Sequence, residues 1–264
     1  MAQINSRLQI IASDLFIKYN SDERDYIEDK ISNLKANLKD WFGSSISEIL
    51  VFGSYKRDTI LPRKFDEHSD VDILVVFSGA EQERTPETYR TRLKKFAEGK
   101  YPTSKVLKDH PSIVLEMNKI KFDLVPSRKS GYYSTTYEIP DKSGYWMSTD
   151  PIGFNASVTE ANTRYLSIVK PIIRLFKRWN ANNDYPFTTY DLEKDIAAMN
   201  FHGDNYQTGF LYVISQLSSY GLSIAGGQKV ETLKANGNWV IEYLNRDNQE
   251  KAIEVTCRIL GIKP

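Results

Sequence analysis

The sequence predicts an α+β fold: a mixed sheet flanked by helices, followed by a helical domain. Three observations carry this. Short apolar runs with strand-like alternation crowd the region between Ser47 and Val125, apolar residues recur at helical spacing before it and from Ser157 onward, and Gly, Pro and Asn punctuate the changes of period. Residues 1–155 are therefore read as one domain and residues 156–264 as a second.

Leu8, Ile11, Ala12 and Leu15 recur at helical spacing, as do Ile27, Ile31, Leu34, Leu38 and Trp41 before Gly43, predicting two amphipathic helices. Ser47 to Phe52 reads as a strand ended by Gly53. After Pro62 comes a second strand, Asp70 to Phe77, whose Val71, Ile73 and Val75 face away from Asp70 and Asp72. Thr85-Pro86 opens a helix carrying Tyr89, Leu93 and Phe96, which Gly99 and Pro102 end. Ser112 to Met117 and Ile120 to Val125 form a hairpin about Asn118-Lys119, with Asp123 on the face opposite Ile120, Phe122 and Leu124. The Gly-, Pro-, Tyr- and Ser-rich stretch from Ser130 to Phe154 reads as a long connection. Ser157 and Glu160 match a capping box for one long helix running to Trp179, kinked at Pro171. The remainder is mainly helical.

The totals bound the function. A chain of 264 residues with 41% hydrophobic content can build a sizeable core. A formal charge of +1 gives no electrostatic reason to require long DNA or RNA. The single cysteine, Cys257, excludes an internal disulfide and fits a reducing compartment. The N-terminus lacks an apolar signal core and no run reaches a membrane span, so the expected location is the cytoplasm.

The chemistry is concentrated in Val51 to Val76. Asp70 and Asp72, one residue apart on a strand, point to the same face with Cα atoms about 7 Å apart, which seats divalent cations. Gly53-Ser54, where a strand turns into a helix, presents small side chains, a hydroxyl and free N–H groups to a polyphosphate. Asp123 supplies a third carboxylate. Together these residues fit nucleotidyl transfer assisted by two ions, magnesium or manganese, held by Asp70, Asp72 and Asp123, with Ser54 and its neighbouring amides on the β- and γ-phosphates. His68, though near the carboxylates in sequence, is read as a bystander. His110, His202 and Cys257 have no pattern of ligation, and Trp146 is read as a packing residue.

Gly53-Ser54, Asp70-x-Asp72 and the strand Lys121-Phe-Asp-Leu-Val-Pro126 resemble the polymerase-β-like nucleotidyltransferase superfamily. More narrowly, they resemble its template-independent branch, which includes oligoadenylate synthases, cyclic GMP-AMP synthase and the bacterial CD-NTases of anti-phage signalling. The likeness continues through Ile139-Pro140, Trp146, Thr149-Asp150-Pro151, Asn162 and Val169 to Trp179. It implies a polymerase-β-like fold, NTP substrates, a cyclic or short linear oligonucleotide product and, for some members, an activating protein partner. It also implies that Lys177 contacts the donor triphosphate, that Thr189 brings a hydroxyl near phosphate and that Tyr190 stacks on a base, with Arg174 and Arg178 on the same basic side of the helix. Where many relatives have Arg-Gly-Thr, this chain has Arg57-Asp58-Thr59. Two alternatives are an enzyme extending an RNA end, of CCA-adding or poly(A) type, and a non-catalytic nucleotide-binding module. A complete carboxylate triad argues against the last.

Overall fold

The computed structural model describes residues 3–78, 84–131 and 136–264. In chain order the elements are α1 (Ile4–Asp14), α2 (Asp22–Phe42), β1 (Ile46–Phe52), α3 (Gly53–Lys56), β2 (Asp70–Phe77), α4 (Pro86–Lys100), β3 (Lys105–Lys108), β4 (Ile113–Met117) and β5 (Ile120–Lys129). Then follow β6 (Tyr137–Pro140), β7 (Trp146–Thr149), α5 (Pro151–Arg164), α6 (Val169–Ala181), α7 (Thr189–Ala197), α8 (Tyr206–Gln216), α9 (Ile224–Asn245) and α10 (Gln249–Leu260). Two compact units emerge. One comprises Ile17–Arg63 and His68–Ala156, the other Met1–Phe16, Lys64–Glu67 and Ser157–Pro264.

The first unit is built on a seven-stranded sheet with the path β1-β2-β5-β4-β3, off which β6 pairs with β5 and β7 with β6. It is mixed: β2 and β5 run parallel, while β1–β2, β4–β5 and β3–β4 are antiparallel. On one face Val71, Ile73, Val75 and Phe77 of β2 and Ile120, Phe122 and Leu124 of β5 pack with Ile27, Ile31, Leu34 and Leu38 of α2 and Tyr89, Leu93 and Phe96 of α4. Strand alternation dictates this set, since every second residue of β2, and of β5 from Ile120 to Leu124, is apolar. The other face is core as well at its far end, where Leu74 and Val76 meet Val125 and Tyr137. The carboxylate face of β2 is thus polar only over its first turn of the pleat.

Several expectations are corrected. The predicted connection from Ser130 to Phe154 contains a hairpin, β6–β7, with Tyr137 opposite Thr149 and Pro140 opposite Trp146. Its Gly144 takes φ +85° in the turn, the conformation glycine favours. Residues 132–135 of that stretch lie outside the described residues, as do residues 1 and 2 of the N-terminus. Strand β3 was not expected; only Val106 of its four residues is more than marginally covered, so it shows no apolar pattern.

The helix expected from Ser157 to Trp179 is two helices. The first, α5, already begins at Pro151, so Ser157 is not its cap. Asp150 does that work, its carboxylate accepting from the Gly153 amide at 2.8 Å. The chain breaks at Leu166 and Ser167, both at positive φ, and Asn162 Oδ1 accepts from the Lys170 amide at 2.9 Å across the break. Pro171 lies in the first turn of α6 rather than at a kink, where its missing N–H leaves no intrahelical bond unmade.

The second unit is helical. Helix α1, placed by the sequence with the catalytic domain, clusters with this unit instead. It buries Ile4, Leu8, Ile11 and Ala12. Phe176 of α6 lies 5.1 Å from Phe210 of α8 between ring centroids. Among the described residues, no helix is long and apolar enough to cross a membrane.

Candidate active site

The parallel pairing of β2 with β5 sets Asp72 beside Asp123 in register, with Asp70 beside Lys121. Side chains in register on neighbouring strands point to one side of the sheet, and the strands lie about 4.8 Å apart. All three carboxylates therefore share the face opposite the α2–α4 core. Each is half-buried.

The Gly53-Ser54 turn is fixed against these acids. Phe52 pairs with Asp72 across β1–β2, so Gly53 starts α3 directly beside it. Gly53 has φ +69°, and a Cβ built there would meet Asp72 Oδ2 at 1.7 Å and Asp72 Cγ at 2.5 Å. Glycine is required twice over, by backbone conformation and by the carboxylate lying against it. The loop then closes on Ser54, whose carbonyl accepts from the Thr59 and Ile60 amides at 3.0 and 3.1 Å. The first N–H groups of a helical turn have no partner within it, and those of α3 follow Phe52 immediately.

Replacing Gly53 with Ala is expected to lower turnover about 100-fold, a typical effect of displacing catalytic groups by about 1 Å. Product formation measured at saturating NTP checks this. An active Gly53→Ala enzyme would mean that Asp72 has no fixed place in the reaction.

Asp123 has a partner the sequence did not reveal. Ser112, buried just before β4, donates its Oγ hydrogen bond to Asp123 Oδ2 at 2.9 Å. Burial raises the Asp123 carboxyl above the ordinary carboxylate range; the Ser112 bond opposes this, the charge of Asp109 adds to it and Lys121 offsets it. A group held this way favours a nearby cation, which stabilises the ionised form. Arg57, also buried, donates from Nη1 to Asn155 Oδ1 at 3.0 Å, and its guanidinium stands 4.6 Å from the Phe154 ring centroid. It ties the loop to the start of α5. Asp58 has φ +60°, the left-handed region that glycine would occupy without strain.

Carboxylates without sulfur or imidazole among them are the donor type that suits a hard divalent ion. The Gly53 cradle also leaves room at the Asp72 carboxylate that any side chain would fill. Among the described residues, no group of three or more Asp, Glu, His or Cys is placed, as the side chains lie, to hold a metal ion. The three Asp are adjacent donors.

Lys177, Thr189 and Tyr190 lie in the helical unit. The basic side expected on α6 is not an open one. Lys177 is 5% exposed, with Nζ 3.0 Å from Oε1 of Glu193, which is 1% exposed. Arg174 donates from Nε to the Ala12 carbonyl at 3.3 Å and lies 4.8 Å from the Phe16 ring centroid. Arg178 donates to the carbonyls of Phe65, Leu260 and Gly261 at 2.5, 3.1 and 3.0 Å. Burial lowers the pKa of Arg178, with Asp66 and Tyr185 opposing. Thr189 and Tyr190 begin α7 and are exposed; Thr188 caps that helix, accepting from the Asp191 amide at 3.1 Å. Glu193 was missed because its partner lies on the preceding helix, beyond the reach of local periodicity. Trp146 packs at 5.6 Å from Tyr89 and under the Arg128 guanidinium at 4.7 Å, as the packing expectation required.

A family model described as the Second Messenger Oligonucleotide or Dinucleotide Synthetase domain matches residues 2–162. The chain is 24% identical over 236 residues to a probable cyclic nucleotide synthase of Bacillus cereus (strain VD146), covering 70% of this chain and 69% of that protein. It is 28% identical over 183 residues to a cyclic AMP-AMP-AMP synthase of Acinetobacter sp., covering 64% of this chain and 51% of that protein. The match thus spans about half the length of the second relative. Among solved structures, CdnC of Escherichia coli MS115-1 superposes with a TM-score of 0.70 in its ATP complex and 0.71 in its complex with HORMA-deltaN. Both comparisons have 14% sequence identity and cover 98% of this chain and 96% of that one. At that identity the likeness shows the fold, the polymerase-β-like fold expected.

Proposed function

The chain belongs to the Second Messenger Oligonucleotide or Dinucleotide Synthetase family of nucleotidyltransferases, and on that premise we propose how its residues join NTPs into a cyclic or short linear oligonucleotide. The observation that carries the reading is the register of Asp72 with Asp123, set against the Gly53 turn. In the reaction, a ribose hydroxyl oxygen attacks an α-phosphorus, the bond from that phosphorus to the β-phosphate bridge breaks, pyrophosphate leaves and the hydroxyl proton is released. Asp70 and Asp72 would hold the cations that neutralise the donor's phosphates. Asp123, oriented by Ser112, faces the attacking hydroxyl. Ser54 and the first amides of α3 bind the β- and γ-phosphates, while Gly53 keeps the backbone close enough to Asp72 for both sets of contacts.

The family uses divalent metal; two magnesium or manganese ions suit this donor set. When bound, such ions supply charge neutralisation on the phosphates and lower the pKa of the attacking hydroxyl. Lys177, Thr189 and Tyr190 are assigned to the donor nucleotide by resemblance alone. The buried pair with Glu193 gives Lys177 a structural task in addition. NTPs as substrates, an activating protein partner and a cytoplasmic site of action in anti-phage signalling complete the reading.

Incubation with the four NTPs and magnesium or manganese, without primer, is expected to give an oligonucleotide that resists phosphatase when cyclic. Product that forms only when an RNA end is supplied would replace this reading with polymer-end extension.

A further inference from the structure

The turn that follows Gly53-Ser54 carries a residue that local sequence does not explain. Asp58 holds φ +60° without being glycine. Non-glycine residues are uncommon there, although Asp is among those that tolerate it. The amides on either side shape the turn: Asp58 donates to the Tyr55 carbonyl at 3.2 Å, and Thr59 to that of Ser54 at 3.0 Å. Whatever holds Asp58 therefore holds Ser54.

Helix α2 reaches the turn through its first turn. Arg24 Nη1 lies 3.4 Å from Asp58 Oδ1, and the Tyr19 hydroxyl donates to Asp58 Oδ2 at 2.9 Å. The Arg24 guanidinium stands 5.0 Å from the Tyr19 ring centroid and 4.5 Å from that of Tyr55, the residue after Ser54. Glu28, one helical turn on, lies 3.4 Å from Arg24 Nε and accepts from the Tyr55 hydroxyl at 2.6 Å. Arg24 and Asp58 are largely shielded from water, with side chains 15% and 16% exposed. A cation stacked between two rings and flanked by two carboxylates is well ordered. The platform beneath it is rigid, because α2 is packed into the sheet core through Ile27, Ile31, Leu34 and Leu38.

We propose that Arg24, with Tyr19 and Glu28, is a positioning residue for the phosphate-binding turn, gripping Tyr55 and Asp58 on either side of Arg57 so that Ser54 and the α3 amides are preset for the NTP phosphates. The functional half rests on the phosphate role proposed above for Ser54. Arg24 touches neither phosphate nor carboxylate triad; it acts through the turn. Asp58 in place of glycine accepts backbone strain and gains an anchoring point on α2.

The test compares wild type, Arg24→Gln, Tyr19→Phe and the double variant Arg24→Gln/Asp58→Gly. Arg24→Gln is expected to raise the NTP KM about tenfold with kcat within about threefold, since a loosened turn misplaces a binding group. Tyr19→Phe, which keeps the ring and removes only the hydroxyl, moves KM in the same direction by less. Adding Asp58→Gly to Arg24→Gln relieves the strain and recovers much of the KM, which a general loss of helix packing would not do. Hydrogen exchange of the amides at 57–60 follows the same order, fastest in Arg24→Gln and slower again in the double variant. An unchanged KM in Arg24→Gln, or a double variant no better than the single one, overturns the proposal. If wild type makes no oligonucleotide at all, the synthase reading fails, and the exchange rates alone decide whether Arg24 grips the turn: unchanged exchange in Arg24→Gln and Tyr19→Phe overturns that too.

Discussion

Replacing Asp70 and Asp72 with Asn is expected to reduce oligonucleotide synthesis by about 1000-fold or more while leaving the unfolding midpoint equal to or above that of wild type. The first half follows from the size of cation assistance, several kcal/mol of transition-state stabilisation at about 1.4 kcal/mol per tenfold in rate. The second follows from charge. Asp70, Asp72 and Asp123 share one face of a parallel strand pair, so like charges repel, and removing two of them relieves the fold. A calorimetric midpoint and a primer-free assay on the same preparation check both halves. Product formation that survives the double substitution would remove the carboxylates from the chemistry. A sharp fall in midpoint would make them structural.

Replacing Glu193 with Ala is expected to destabilise the helical unit by about 3–5 kcal/mol, the usual cost of stranding one member of a buried ion pair. In midpoint this is a fall of roughly 6–20 °C. Lys177 would be left 5% exposed with its counter-charge gone. The companion variant Lys177→Met/Glu193→Leu removes both charges and is expected to regain most or all of that stability. It also separates the two tasks of Lys177. A stable double variant with wild-type NTP KM assigns the ammonium to Glu193 alone, whereas a raised KM assigns it to the triphosphate as well. A Glu193→Ala protein that melts with wild type would mean the pair is open to water.

The two strands that carry the carboxylates were legible because their signal is local. Alternation in Asp70 to Phe77 and in Ile120 to Val125 fixes which residues face the core, and a two-residue turn at Asn118-Lys119 fixes the hairpin. The strand pairing across which Asp72 meets Asp123 is non-local, and in the sequence only the chemistry of a third carboxylate connects Asp123 with the other two. What escaped depends on partners distant in sequence. Ser112 gives no sign of its bond to Asp123, and the cations of α6 read as an open basic side until Glu193, Ala12 and Phe65 are seen to receive them. The β6–β7 hairpin was hidden because its short strands are half-exposed, with Met147 and Ser148 facing solvent. The break before α6 is made by Leu166 and Ser167, ordinary residues at positive φ, with Asn162 Oδ1 accepting from the Lys170 amide across it. Pro171 was the more visible signal and the wrong place.

The parallel β2–β5 contact also has a bearing on how the protein is made. Two of its acids are synthesised early and the third only after α4, β3 and β4 have been laid down between them. Parallel pairing of this kind closes a long loop and is slow compared with hairpin formation. During synthesis, Gly53, Ser54, Asp70 and Asp72 are present on a nascent chain that has no complete donor set. On the carboxylate role proposed above, a chain not yet folded through β5 lacks the third acid, and activity is expected only once the β2–β5 pairing has closed.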